Sequence, residues 1–409
     1  MRTAATGIGD ATTTPRPGRR RARWRRWLRA GARVALVALA LLGAAATLLP
    51  QGRAVVRGAL LLPPVLAGAP LGVYRVLGEP VVHRRLTISA AAGPVYLDVY
   101  EPTAPPPPLP GARGGLLVIP GVGDERGEPQ LINLATALAQ SGEVVMLMTT
   151  PTLISYDLTP DDRDAVVRAF DRLARWRGVG ADRVGIVGFS AGGPLACVSA
   201  VDARIRDRVA FIVQFGGFYD VRALLRDIGR QSLLVDGRPR PWQPQSVARD
   251  VLANVLAHAL PAADAARLQV AFAFQDAVPL TPDDVAALSP DGLAAYHLLA
   301  GDDPARVDAN IATLQPKAGD LLDSLSPSAV VSQLRAPIYL LHDHEDPYIP
   351  FTEARDFDAA LTALGHRHDY VELTVFSHTE VRQGNPLGQV IGDGARLARI
   401  LYEVLAVGS

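Results

Sequence analysis

The chain has 409 residues, enough for one large domain with an insertion or for two domains. Apolar residues make up 49% and charged residues 20%, which excludes wholesale disorder, and a formal net charge of zero argues against a general nucleic-acid binder. Its one cysteine, Cys197, excludes an intrachain disulfide and a cysteine zinc cluster, and reads as a buried structural thiol.

Residues 1–33 read as a disordered, basic N-terminus, with ten arginines in a chain whose only lysine is Lys317. Sixteen uncharged, mostly apolar residues follow, Val34 to Leu49. A basic flank before an apolar run is the layout of a transmembrane anchor or signal segment, placed here at 34–50. The arginine excess ahead of the run keeps the N-terminus cytoplasmic and exports the remainder, anchored or, if cleaved near Ala44–Ala46, secreted. Residues 51–80 read as a membrane-proximal linker. Within them the apolar stretch Ala59 to Val76 holds Pro63, Pro64, Pro70 and Arg75, which suits an interfacial segment or packing against the following domain better than a span.

From Val81 the pattern is strand-like. Val81–Ile88 and Val95–Tyr100 form a predicted antiparallel pair, and the proline-rich stretch 102–110 reads as a stiff link. Strands and helices then alternate: strand Leu116–Ile119, helix Leu131–Gln140, strand Val144–Met148, helix Asp161–Arg175, strand Val184–Val187, helix Ala191–Ala200, strand Val209–Phe215. This spacing predicts a mostly parallel sheet with helices on both faces. Residues 221–330 break the rhythm with amphipathic helical stretches and no strong strand, and read as a helical cap. The alternation resumes with strand Ile338–Leu341, helix Phe351–Leu364, strand Tyr370–Phe376 and helix Gly392–Val404. The catalytic domain is thus read as 81–220 plus 331–409.

The strand Val184–Val187 runs into Gly188-Phe189-Ser190-Ala191-Gly192, the G-x-S-x-G pattern of a nucleophile elbow. Such an elbow is a sharp strand-to-helix turn that exposes a serine hydroxyl, with Gly188 and Gly192 leaving room for close backbone approach. A serine hydroxyl is a poor nucleophile at neutral pH and needs a base, which in turn needs an acid to fix its tautomer. In this arrangement the partners follow in the order Ser, Asp or Glu, His. Asp346 lies just past the strand Ile338–Leu341, with Asp343 and Glu345 as competing acids. His378 lies just past the last strand, whereas His366 and His368 precede it. His258 and His297 fall in the insertion. The spacing of His342, His344 and Asp346 also matches part of a zinc-hydrolase signature, but Pro347 stands where its last histidine would be, and loop packing beside the acid is the better reading.

These residues resemble the α/β-hydrolase fold superfamily, in its esterase and lipase-like branch, over about residues 81–406 apart from the insertion. Leu340-Leu-His-Asp-His-Glu-Asp346 resembles the family segment in which His-Gly and two further residues precede the acid, with Asp343 where that pattern has Gly. Val99-Tyr100-Glu101-Pro102 is also similar to esterase openings. The resemblance implies catalysis by Ser190, Asp346 and His378. Pro120-Gly121-Val122-Gly123 stands where the family often has His-Gly, so the oxyanion hole is assigned to the Val122 and Ala191 N–H groups. It implies a serine hydrolase cleaving a carboxylic ester with no cofactor, which the N-terminal segment would anchor to a membrane or export; the insertion 221–330, entering above the catalytic edge, reads as a lid whose apolar helices favour a hydrophobic substrate. The motif also resembles prolyl-oligopeptidase-like domains, so a serine peptidase or acyltransferase is the alternative. A catalytically silent binding protein on the same scaffold is the remaining class.

Overall fold

Eight strands form the central sheet of this computed structural model, which describes residues 50–67, 78–105 and 112–407. Their order is β1-β2-β4-β3-β5-β6-β9-β10. β1 (Val81–Ala90) and β2 (Gly93–Pro102) pair antiparallel, and β2 runs antiparallel to β4 (Val144–Thr149). From β4 onward the neighbours β3 (Arg113–Ile119), β5 (Val179–Phe189), β6 (Val209–Phe215), β9 (Ile338–Asp343) and β10 (His368–Leu373) are all parallel. Every residue of β3, β4 and β9 is buried, as expected of continuous apolar runs in a parallel sheet covered on both sides.

The two faces separate by alternation along each strand. Leu117, Ile119, Met146, Met148, Ile186, Ile212 and Leu340 enter one core layer, and Leu116, Val118, Val145, Leu147, Val213 and Leu341 the other. The first layer is closed by α4 (Asp162–Ala174), α5 (Gly192–Ala200), α12 (Phe351–Ala363) and the insertion. The second is closed by α2 (Pro129–Gln140) and α13 (Leu387–Val407). A four-residue helix, α3 (Pro151–Ile154), follows β4.

Residues Ala54–Ser409 cluster as one unit, and of Met1–Arg53 only residues 50–53 are described. The span read as a linker begins as a helix, α1 (Pro50–Ala67). Its Ala54 and Leu61 are fully buried in the second core layer, Gly58 packs on Leu401 of α13, and Arg57 Nη1 lies 3.3 Å from Oε1 of the buried Glu143. The part of the 59–76 stretch that is described therefore packs on the catalytic domain. No helix among the described residues is long and apolar enough to cross a membrane, and the segment Val34–Leu49 lies outside them.

The insertion enters after β6 and returns at β9. It contains α6 (Val221–Arg230), α7 (Ser246–Ala257), α8 (Ala262–Phe272), α9 (Pro282–Ala286), α10 (Pro290–Ala300) and α11 (Val307–Leu325). It also holds a hairpin, β7 (Ser232–Val235) with β8 (Arg238–Pro241), where no strand was expected. The turn is Asp236-Gly237, with φ of 50° and 75°, the left-handed pair that a two-residue hairpin requires. The Asp-Gly dipeptide was a legible signal. Pro239 and Pro241 hide it, because they break the apolar alternation of a strand.

The last sheet strand also differs from expectation. It stops at Leu373 because Asp393 Oδ2 on α13 accepts the Thr374 and Val375 N–H groups at 2.7 and 3.0 Å, ending the ladder. The chain then turns into two two-residue strands, β11 (Phe376–Ser377) and β12 (Glu380–Val381), with His378 in the turn between them.

Candidate active site

Ser190 follows β5 with φ of +51°, a left-handed conformation that side chains with a Cβ rarely adopt. The surroundings hold it there. Its N–H donates to the Phe215 carbonyl at the end of β6 (2.8 Å), and its own carbonyl accepts from Gly193 N–H (3.0 Å). The flanking glycines are obligatory by packing. A Cβ at Gly188 would lie 2.2 Å from the Gly192 carbonyl oxygen, and one at Gly192 would lie 2.3 Å from that of Ile119. Both clashes are with backbone, which has no rotamer to escape into.

The loop after β3 crosses this elbow. Gly121, with φ of +130°, places its Cβ position 3.3 Å from Ser190 Cβ. Gly123 N–H donates to the Leu153 carbonyl at 2.8 Å, anchoring the loop on α3. Between those glycines sits Val122. Among the described residues, neither the Val122 nor the Ala191 N–H donates to a chain acceptor. Ala191 caps the N-terminus of α5, where free N–H groups and the positive end of the helix dipole favour an anion.

His378 and Asp346 meet at the same sheet edge. His378 Nδ1 lies 2.5 Å from Asp346 Oδ2, and the other carboxylate oxygen accepts the Tyr348 and Ile349 N–H groups at 2.8 and 3.0 Å. Burial alone would raise the pKa of Asp346. The His378 charge and hydrogen bond, with help from His342 and the Ile349 amide, outweigh it and hold the carboxyl below its ordinary value. An ionised carboxylate only accepts, so His378 Nδ1 carries the proton and Nε2 of the neutral ring is free to act as a base. For His378, burial pushes the pKa down, but Asp346, Glu125 and Asp343 together raise it above the ordinary histidine value. The histidine approaches the elbow through Gly216, whose φ is +65° and whose Cβ position is 3.0 Å from the His378 ring. That glycine follows Phe215, the residue that accepts from Ser190.

The competing candidates have other partners. Asp343 binds the backbone of His378 and the Arg382 side chain, and Glu345 binds Arg382 at 3.0 Å. His342 Nε2 donates to the Ile349 carbonyl at 2.9 Å, while His344 pairs with Glu372 at 2.5 Å and stacks on Phe351. Among the described residues no group of three or more His, Cys, Asp or Glu side chains is placed to hold a metal ion. His258, His297 and His368 pair with Asp157, Asp302 and Asp358, and His366 lies ahead of β10.

A narrow apolar pocket of about 50 Å³ opens on Ser190. Val122, Phe218, Leu224, Val251, Leu252 and Tyr348 line it, so the insertion supplies much of its wall. A larger groove of about 410 Å³ runs along Arg85, Tyr96, Asp98, Asp124 and Arg126, but its charges neutralise one another: Asp98 binds His83, Arg85 and Arg126, and Arg126 binds Asp124. Its hydroxyls, on Thr87 and Tyr96, have no elbow and no histidine–carboxylate pair like those at Ser190, so the smaller pocket is the candidate site. Sequence reasoning missed Glu353. Buried on α12, its Oε2 accepts the Tyr219 and Asp220 N–H groups (2.7 and 2.8 Å) where the insertion begins, and burial pushes its pKa up to about 8 against those bonds. Nothing in the sequence marks a first-turn glutamate for that role.

No protein-family model and no curated protein matches the sequence. Solved structures of similar layout include Porphyromonas gingivalis dipeptidyl peptidase 4, at 12% identity and a TM-score of 0.47, covering 80% of this chain and 36% of that one. A Mycobacterium tuberculosis puromycin-hydrolyzing peptidase matches at 15% and 0.46, covering 80% and 39%. 2,6-Dihydroxy-pseudo-oxynicotine hydrolase matches at 16% and 0.44, covering 79% and 68%. The chain thus spans less than two fifths of the two peptidases, and likenesses this distant assign it no substrate. Its own strand order, with two antiparallel strands leading into a parallel run and the elbow after the fifth, gives this chain the α/β-hydrolase fold.

Proposed function

We propose that the protein is a serine hydrolase that cleaves carboxylic esters through an acyl-enzyme. The observation that carries this reading is the 2.5 Å contact of His378 Nδ1 with the buried Asp346, beside a serine held at φ of +51°. In the first half-reaction Ser190 Oγ attacks the carbonyl carbon while His378 Nε2 takes the hydroxyl proton. The oxyanion of the tetrahedral intermediate is held by the Val122 and Ala191 N–H groups. The intermediate collapses, the C–O bond to the alcohol breaks, and His378 returns its proton to the departing oxygen. Water repeats the sequence on the acyl-enzyme and releases the acid. No metal or cofactor takes part in these steps.

The pocket beside Ser190 is apolar and small, about a third of the ~150 Å³ cavity that accommodates benzene. It suits a short aliphatic group next to the scissile carbonyl. The peptidases of similar layout are reason to include amides in the substrate panel and carry no further weight. The basic N-terminus and the apolar run Val34–Leu49 support attachment to a membrane, with the catalytic domain outside the cytoplasm. Membrane fractionation with protease accessibility tests that placement. A fluorophosphonate probe tests the chemistry: it labels Ser190, and Ser190→Ala abolishes both labelling and p-nitrophenyl ester hydrolysis, a loss on the order of 10⁶ in kcat. Hydrolysis surviving in that variant refutes the assignment.

A further inference from the structure

Asp343 stands where the resembled pattern has Gly, and the mechanism above leaves it idle. It closes β9 fully buried. Its Oδ2 accepts the backbone N–H of His378 at 3.3 Å, and its two oxygens face Arg382 Nη2 at 3.4 and 3.2 Å. The same Nη2 donates to the Phe376 carbonyl at 2.5 Å, while the Arg382 backbone N–H donates to Val375 at 2.9 Å. One buried carboxylate thus gathers the turn that carries His378.

That turn needs holding. His378 has φ of +59°, and such a conformation persists in a residue other than glycine only where its surroundings impose it. The two-residue strands β11 and β12 supply few ladder bonds to impose it. A charge-assisted bond from a buried carboxylate to the backbone N–H supplies what they lack. Asp343 also adds to the charge around the ring. The groups facing His378 are Asp346 and His342, Tyr348 with its ring centroid 4.9 Å away, Glu125 from the loop after β3, and Asp343 with Arg382 behind it. Burial pushes the Asp343 carboxyl up to about 6, against the Glu345 amide, Arg382 and the His378 amide, which favour its charged form.

We infer that Asp343, clamped by Arg382, is a positioning residue for the catalytic histidine: it fixes the backbone of His378 so that the ring serves Ser190, and its negative charge favours the protonated ring. The inference rests on the serine-hydrolase reading for its kinetic half only. Asp343→Asn keeps an acceptor oxygen of similar size and removes the charge, and Asp343→Gly removes the clamp and restores the family residue. Both variants should lower kcat with KM nearly unchanged, Asp343→Gly by up to about 100-fold, the cost of misplacing a reacting group by about 1 Å. In Asp343→Asn the acid limb of kcat/KM should move to lower pH, because the imidazolium loses a stabilising negative charge. The His378 ring titration, followed by NMR on histidine-labelled protein and assigned with His378→Gln, should move the same way. This reads the charge without any substrate, so a wild-type protein that fails to react with the fluorophosphonate sinks the proposed function and leaves the Asp343 test standing. Wild-type kcat in Asp343→Gly, or an unmoved His378 titration in a folded Asp343→Asn, overturns the inference.

Discussion

The elbow under Ser190 and the insertion above it are built on opposite rules. Around the elbow, backbone meets backbone: Gly188 and Gly192 leave 2.2–2.3 Å for a Cβ, and the serine is held left-handed by hydrogen bonds from two elements. In the insertion, side chain meets side chain. Leu224, Val251 and Leu252 reach the pocket from two helices, and their shapes set its volume. Backbone contacts have no alternative rotamers, so the elbow tolerates almost no substitution. Apolar side-chain walls tolerate exchange of volume, so the insertion is where specificity is free to change. The difference separates what makes a reaction possible from what selects its substrate.

Substitutions on each side should break this division in different ways. After Ser190→Ala, the largest effect is expected from Asp346→Asn, which preserves size but reverses the tautomer preference of His378; kcat should fall about 10⁴-fold, read by steady-state kinetics against labelling by the fluorophosphonate. Gly192→Ala comes next and acts on folding, because its Cβ meets the Ile119 carbonyl oxygen at 2.3 Å. Denaturant unfolding should report a loss of about 1–3 kcal/mol, and an unchanged midpoint would mean the elbow is looser than its packing implies. pH sharpens the electrostatic side. The His378 pKa is raised and the base must be neutral, so kcat/KM should fall as pH drops through a midpoint above the ordinary 6.5. A midpoint below 6.5 would mean that burial, which opposes the three carboxylates, wins at this ring. The smallest effect belongs to the insertion. Val251→Ala should enlarge the pocket and shift preference toward longer acyl chains by about 10-fold or more per added methylene, with little change for acetyl esters. An equal change across the chain-length series would place the acyl group elsewhere.

Much of this was legible in the sequence, for a physical reason. The strands before Ser190 and Asp346 carry short apolar runs, which a parallel sheet buried on both faces demands, while the edge strand before His378 alternates Val371 and Leu373 with polar neighbours. Their loops all emerge at one edge because the connections alternate with helices. What remained ambiguous were choices among neighbours of similar chemistry. Asp343, Glu345 and Asp346 lie within four residues; the offset from the strand end favours Asp346 but leaves the other two as competitors. The turn after β9 decides between them: it sends Asp346 toward the His378 ring, Asp343 under its backbone and Glu345 to Arg382. The final strand was read too long because its terminator, Asp393, lies 19 residues further on, in α13. The hairpin in the insertion was missed because its prolines conceal the alternation that flanks the Asp-Gly turn.

The sequence by itself determined the order of elements, the glycine-flanked serine and the two kinds of partner that a serine needs, since all of these rest on local pattern and on chemistry intrinsic to the side chains. Tertiary structure alone decided where the competing acids Asp343 and Glu345 go, how small the pocket beside Ser190 is, and that Arg382 and Asp343 grip the histidine's turn. Those outcomes depend on distances between segments far apart in the chain, and such distances are fixed only when the sheet packs.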